Sequence, residues 1–247
     1  MEYNTVKIDQ VVEFLKKSKH SIAFTGAGCS VESGIPPFRG ESGIWNRYDA
    51  KLLEIDFFLQ NPKTSWEAIR EIFYDFFTDA KPNQAHIVLA QLEMLGVIKA
   101  VVTQNIDDLH FKAGSSCVYE FHGNSQKLKC TKCANEVNAF ETNLNMLPPK
   151  CNKCGGLLKP DFIFFGEGIP PAAYQKSFEA ARKADLVIII GSTGEVMPAC
   201  QVPWEAKRNG ATIIEINPDE SKFTHQITDL HLKMEAGKAM ELIGKKF

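Results

Sequence analysis

Ser21-Ile22-Ala23-Phe24-Thr25-Gly26-Ala27-Gly28 is the stretch that decides the fold. An apolar run ends abruptly in two glycines separated by one residue. Such a run reads as a buried strand, and glycines directly after it let the backbone turn tightly and approach a pyrophosphate. A plain structural glycine turn is the alternative at this point. The dinucleotide fingerprint wants a third glycine where Val31 stands, and no strand-ending acid follows about 20 residues on to clamp a ribose. A hydride-transferring enzyme is therefore disfavoured.

Working outward, residues 7–20 have the periodicity of an amphipathic helix. Short Val- and Ile-rich runs at 97–104, 117–123, 161–166, 184–192 and 211–217 read as strands of a sheet covered on both faces. Helical patterns at 83–96, 172–184, 200–210 and 235–247 lie between them. This alternation predicts an open α/β fold with a parallel sheet. Two stretches break it: 41–82, helical and aromatic, and 128–159, polar and holding four thiols. The expectation is a sheet domain formed by residues 1–40, 83–127 and 160–247, with 41–82 and 128–159 forming a smaller inserted domain.

The chain has 247 residues, 44% hydrophobic and 23% charged, enough for one sizeable core and a small accessory module. Its formal charge of -2 lacks the basic excess of a nucleic-acid-binding face, so no direct nucleic-acid partner is expected. No leader-like apolar segment opens the chain, and no run approaches the roughly 18 apolar residues of a membrane span. The expectation is a cytoplasmic protein without a membrane partner.

Four of the seven cysteines form two Cys-x2-Cys knuckles, Cys130 with Cys133 and Cys151 with Cys154. Each knuckle offers two sulfurs on one tight turn, and the intervening loop brings the pairs together as a tetrahedral thiolate site for one Zn2+. Four thiolates leave no open coordination position, so the metal would be structural. Six lysines from Lys127 to Lys159, against only Glu136 and Glu141, would offset the negative zinc tetrathiolate. Two reduced pairs without metal, or a redox pair, are the weaker alternatives. Cys29, Cys117 and Cys200 read as ordinary buried thiols.

Three further segments carry polar groups to strand ends. Ser33-Gly34-Ile35-Pro36-Pro37-Phe38-Arg39-Gly40 mixes flexible and rigid backbone around an aromatic and a cation, as suits a loop closing over an anion or planar ring. Gln104, Asn105, Ile106 and Asp107 follow one strand, and Phe121-His122-Gly123 ends another, at the edge where open α/β sheets bind ligands. A lone histidine there is more often structural than catalytic. In this order GAGCSVESGIPPFRG, TQNIDDLHFKAG, FHG, the paired knuckles, FFGE at 164–167, GST at 191–193 and IN at 216–217 resemble sirtuins of the prokaryotic type. The resemblance spans about residues 20 to 240.

That resemblance implies a Rossmann-like sheet domain with a zinc-ribbon and helical small domain, and NAD in the cleft between them. It implies an NAD-consuming acyl transfer: a protein-lysine deacetylase releasing nicotinamide and O-acetyl-ADP-ribose, acting on acetyl-lysine proteins or peptides. By the same resemblance Ala27, Val31, Phe38 and Arg39 wrap NAD, and Gln104, Asn105, Ile106 and Asp107 form the nicotinamide pocket. His122 is the general base. Ser192 and Thr193 match positions on the phosphates and ribose, Asn217 the adenosine ribose, and Lys238 and Ala239 the adenine end. The backbone of Phe165, Gly166 and Glu167 resembles the edge that pairs with substrate peptide. Mono-ADP-ribosyl transfer to protein, or a non-catalytic NAD-responsive module, would use the same pocket. The chain departs from the family at Pro37, often Asp; at Cys29, usually aliphatic; and at Glu195, usually apolar, which either faces solvent or biases substrate choice. Ile69 and Ile72 stand where the desuccinylase branch carries a carboxylate-clamping Tyr and Arg, so neutral acyl groups are expected to be preferred.

Overall fold

The computed structural model describes residues 2–40, 43–75 and 79–247. Helix α1 (Glu2–Lys17) leads into strand β1 (Ser21–Thr25). Its residues Ile8, Val11, Val12 and Leu15 are buried, which is one helical stripe at spacings of three and four. Helix α2 (Ile55–Gln60) and helix α3 (Pro62–Ile69), extended by a π-helical turn over Arg70–Tyr74, come next. Then follow α4 (Gln84–Met94), β2 (Ile98–Thr103), the short α5 (Leu109–Lys112), β3 (Val118–Glu120), β4 (Gly123–Cys130) and β5 (Glu136–Asn138). The chain closes with β6 (Leu158–Phe162), α6 (Pro171–Lys183), β7 (Leu186–Ile190), α7 (Gln201–Arg208), β8 (Thr212–Ile216), β9 (Leu230–Leu232) and α8 (Ala236–Gly244).

Six strands form one sheet in the order β3-β2-β1-β7-β8-β9, every neighbouring pair parallel. Strand β7 shows why its sequence is apolar throughout. Leu186, Ile188 and Ile190 enter the core beneath α1, α4 and α8, while Val187 and Ile189 enter the opposite core beneath α6 and α7. The strands run outward in one direction from β1 and in the other from β7. The order thus reverses between these two strands, and their carboxyl ends open a crevice. Backbones meet closely there. A Cβ on Gly28 would lie 2.7 Å from the Cα of Gly191, and Gly191 itself has φ +62°. Only glycine fits either position. The third glycine of the fingerprint serves close packing of an α-helix on its strand. Ala27–Ser33 is instead a 3-10 segment stopped by left-handed Gly34, so Val31 is tolerated and stands 38% exposed.

A second sheet, β5-β4-β6, is antiparallel. It shares a separate core with Phe58, Trp66, Ile69, Ile72 and Phe73 of the helical stretch. Two expectations are corrected here. The run at 161–166 is no strand of the parallel sheet: its first residues belong to β6, where Pro160 is accommodated on a sheet edge. Phe162 and Phe164 are buried by this smaller aromatic core. The run at 117–123 divides, with β3 in the large sheet and Gly123, at φ +73°, opening β4 in the small one. Residues 41, 42 and 76–78 of the stretch assigned to the inserted module lie outside the described residues. No helix among the described residues is long and apolar enough to cross a membrane.

Candidate functional site

The carboxyl ends of β1, β2, β7 and β8 are stitched together by side chains. Gln104 Nε2 donates to Ser192 Oγ at 2.9 Å, and Asn217 Nδ2 donates to the Ser192 carbonyl at 3.0 Å. Asn105 Nδ2 donates to the Gly26 carbonyl and to Ser30 Oγ, each at 3.1 Å. Its own carbonyl oxygen is left for a ligand. Ser30 Oγ donates to Asp107 Oδ2 at 2.6 Å, and the Leu109 N–H reaches Asp107 Oδ1 at 3.0 Å. Burial pushes the Asp107 carboxyl above its ordinary value, against which the Ser30 hydroxyl pulls first.

His122 lies between β3 and β4. Its Nδ1 is 3.1 Å from the Gln104 carbonyl, which can only accept, so Nδ1 carries the proton and Nε2 presents a bare lone pair. Burial lowers the imidazole below 6.5, and the hydrogen bond to Gln104 opposes this without overcoming it. The ring is neutral at pH 7 and ready to accept a proton.

The remaining expected cofactor residues are distributed unevenly. Phe38 packs on Trp45 and Phe73, with ring centroids 5.4 and 6.2 Å away. Arg39 pairs with Glu195, Nε to Oε2 at 2.9 Å. Ala27 and Val31 lie on the 3-10 turn, Ile106 is buried in the smaller core, and Thr193 is exposed. Ala239 is not brought to the cleft by its side chain, which is 0% exposed in the core under α8, and Lys238 points outward to Glu241. The peptide-edge expectation is also narrowed. Phe165 donates its N–H to the Leu53 carbonyl and accepts from the Ile55 N–H, so its backbone is already spent. Glu167 is held by Lys159 at 3.0 Å and by the Phe164 N–H at 2.8 Å. Gly166 has no backbone partner among the described residues.

Several contributors were given no role from the sequence: Ser30, Thr25, His86 and His110, and Thr103 beyond its place at the strand end. Thr25 Oγ1 bonds Thr103 Oγ1 at 2.8 Å and His110 Nε2 at 2.9 Å, and Thr103 Oγ1 accepts the Asn105 N–H at 3.0 Å. A buried polar residue at the carboxyl end of an apolar run, as Thr25 is, was the available signal. Cys29, His86 and His110 bring ligand-type atoms within 4.8 Å of one another. They do not make a second metal centre. His86 Nδ1 accepts the Asn83 N–H, so its Nε2 holds the proton, whereas a ligating histidine donates its other nitrogen outward.

The four knuckle cysteines do converge. Their Sγ atoms stand 3.5 Å apart for Cys130 and Cys154, 3.8 Å for Cys133 and Cys151, and 3.3 Å for Cys133 and Cys154. Four sulfurs about 2.3 Å from one Zn2+ in a tetrahedron would lie about 3.8 Å apart, so the residues fit the ion. Backbone N–H groups of Cys133 and Lys132 hold the Cys130 thiol down to about 6, favouring the thiolate a metal needs.

A doubly wound α/β sheet with a polar crevice at its switch point and a four-thiolate knuckle defines a dinucleotide-using protein of zinc-ribbon type. The chain belongs to the Sir2 family, whose sequence model matches residues 26–198. It is 44% identical over 243 residues to an NAD-dependent protein deacylase of Pyrococcus furiosus, covering 94% of this chain and 95% of that one. A relative of the same name from Aquifex aeolicus is 41% identical, covering 90% and 92%. Among solved structures, a Sir2 protein with deacetylated p53 peptide and 3'-O-acetyl ADP-ribose superposes with TM-score 0.92 at 33% identity, covering 97% and 98%. A Sir2 homolog in complex with NAD gives 0.89 at 40%, covering 96% and 93%.

Proposed function

We propose that this chain is an NAD-dependent protein-lysine deacetylase with His122 as its general base. The observation that carries the residue assignment is the tautomer of His122, whose Nδ1 is engaged by the Gln104 carbonyl so that Nε2 of the neutral ring is left unprotonated. NAD, when bound, would supply the electrophilic ribose carbon from which nicotinamide departs and the ribose hydroxyl that takes the acyl group. Ala27, Val31, Phe38 and Arg39 would cover it. Gln104, Asn105, Ile106 and Asp107 would receive the nicotinamide end, Ser192 and Thr193 the phosphates, and Asn217 the adenosine ribose. Buried side chains hold the amide of Asn105 in one orientation, so it need not reorganise as charge develops. His122 takes a proton from a ribose hydroxyl. Phe38, Trp45 and Phe165 form an aromatic wall that excludes water.

The substrate is an extended acyl-lysine peptide laid beside Gly166, whose unpaired backbone suits strand addition and broad sequence tolerance. Residues 1–40, 83–127 and 160–247 act as the NAD-binding domain, with 41–82 and 128–159 as the small domain. Four cysteines needed as thiolates point to a reducing, cytoplasmic setting. The test is mass spectrometry of zinc-replete protein with an acetyl-lysine peptide and NAD. Acetyl-ADP-ribose and free lysine are expected in equal amounts. ADP-ribose attached to protein with the acetyl group intact would instead establish mono-ADP-ribosyl transfer.

A further inference from the structure

Glu195 lies in the loop after β7, where its carboxylate faces two cations. Its Oε2 lies 2.9 Å from Arg39 Nε and its Oε1 lies 3.9 Å from Lys222 Nζ. The two loops it joins differ in how they are held. The one after β7 is pinned: Gln104 and Asn217 both hold Ser192, and the Lys222 N–H donates to the Thr193 carbonyl at 3.0 Å. Gly194 leaves no gap against Phe223, whose ring would be 2.8 Å from a Cβ there. The cofactor loop bonds mainly within itself, Pro37 to Ile44, Phe38 to Trp45 and Gly40 to Gly43. Its recorded charged tie to the pinned loop is the Arg39–Glu195 pair.

We propose that Glu195 is a positioning residue: it holds Arg39 across the cleft mouth before NAD arrives and sets the plane in which the guanidinium meets a phosphate. This rests on the reading above that Arg39 contacts NAD. A guanidinium has five N–H donors in a rigid fork, and a partner on Nε leaves those of the two terminal nitrogens for a second anion. Lys222 on the other carboxylate oxygen offsets the charge of Glu195. Two cations and one anion leave this corner net positive, so the carboxylate orients Arg39 without turning the cleft against a phosphate.

The experiment compares wild type with Glu195→Gln and Glu195→Ala, all zinc-replete and at saturating acetyl peptide. Coupling across a half-exposed ion pair corresponds to about a 2- to 5-fold effect. We expect KM for NAD to rise by that factor in Glu195→Ala, less in Glu195→Gln, with kcat within about 2-fold of wild type. The ratio of variant to wild-type KM should fall toward one at about 0.5 M salt, where the pair is screened. Without NAD, amide exchange at Phe38, Arg39 and Gly40 should be faster in the variants, and equal to wild type once NAD saturates. An unchanged KM, a KM that falls, a ratio indifferent to salt, or unaltered exchange would each overturn the proposal. A fall in KM would show that Glu195 competes with the cofactor for Arg39. Wild-type protein that formed no acetyl-ADP-ribose would overturn the NAD reading itself, whereas the exchange comparison without NAD would still report on the tie.

Discussion

Ser30→Ala removes one hydroxyl and disturbs three buried partners at once, His86 being the third, with its Nε2 3.4 Å from Oγ. Its Oγ donates to Asp107 at 2.6 Å and accepts from Asn105 at 3.1 Å, and all three side chains are at most 7% exposed. Losing a bond to a charged, buried acceptor destabilises by about 1.5 to 3 kcal/mol. The size should depend on pH with a definite sign. The folded pKa of Asp107 lies above its ordinary 3.8, so the native state binds the extra proton, and its contribution to stability falls as pH rises through that window. Without Ser30 the folded pKa rises further. The variant's deficit is then complete above that pKa and shrinks as pH falls toward the unfolded value. Urea unfolding of both proteins at pH 8 and pH 5 measures it. We expect a larger deficit at pH 8 than at pH 5, and a KM for NAD raised about 2- to 10-fold by the loosened Asn105 amide. Equal deficits at the two pH values, or a deficit under about 0.5 kcal/mol, would refute the claim that Ser30 supports a buried carboxylate.

His122→Ala should fold and bind NAD while kcat falls about 100-fold or more, and the acid limb of the wild-type kcat profile should lie below pH 6.5; near-normal turnover removes the base. Cys130→Ser should lose zinc, by atomic absorption, and express poorly, since zinc contributes on the order of 10 kcal/mol to such modules; folded, active, zinc-free protein would contradict this. Burial lowers His86 to about 4, so the unfolded chain takes up the proton first on acidification. Stability should therefore decline as pH falls from 6.5 toward 4, by up to about 3 kcal/mol from this residue, and His86→Gln should flatten that slope in urea titrations. An acetyl peptide should exceed its succinyl counterpart in kcat/KM by about 5-fold or more, because an unpaired carboxylate costs about 1 to 3 kcal/mol. Ile69 and Ile72 are fully buried in the small core, and Arg70 Nη1 points to the Leu144 carbonyl at 3.5 Å. Equal turnover of the two peptides would require an unrecognised clamp.

Local sequence carries local geometry, which is why the glycine turn after β1, the cysteine knuckles and the strand-end position of His122 could be read without coordinates. The run around Phe162–Phe165 could not. An aromatic stretch is equally apolar whether a parallel sheet or a small separate core buries it, and only the partners Phe58 and Phe73 decide. Strand β9 has three residues and too short a pattern to register. The support beneath Asn105 was hidden for another reason. Thr25 and His110 stand 85 positions apart, and nothing in either neighbourhood announces the other. Lys238 and Ala239 show the converse. A motif can match while its side chains face elsewhere, Ala239 into the core and Lys238 toward Glu241.

One covalent crossing joins the large sheet to the small one at His122 itself. Phe121 donates its N–H to Thr103 in the large sheet, the carbonyl of His122 accepts the N–H of Ile163 beyond β6, and Gly123 pairs with Phe162. His122 is therefore a rivet between two plates. If the plates part, either the clasp on Gln104 or the clasp on Ile163 must let go, and the imidazole loses its aim. The position of the two sheets and the proton placement on the imidazole are therefore coupled through one hydrogen bond.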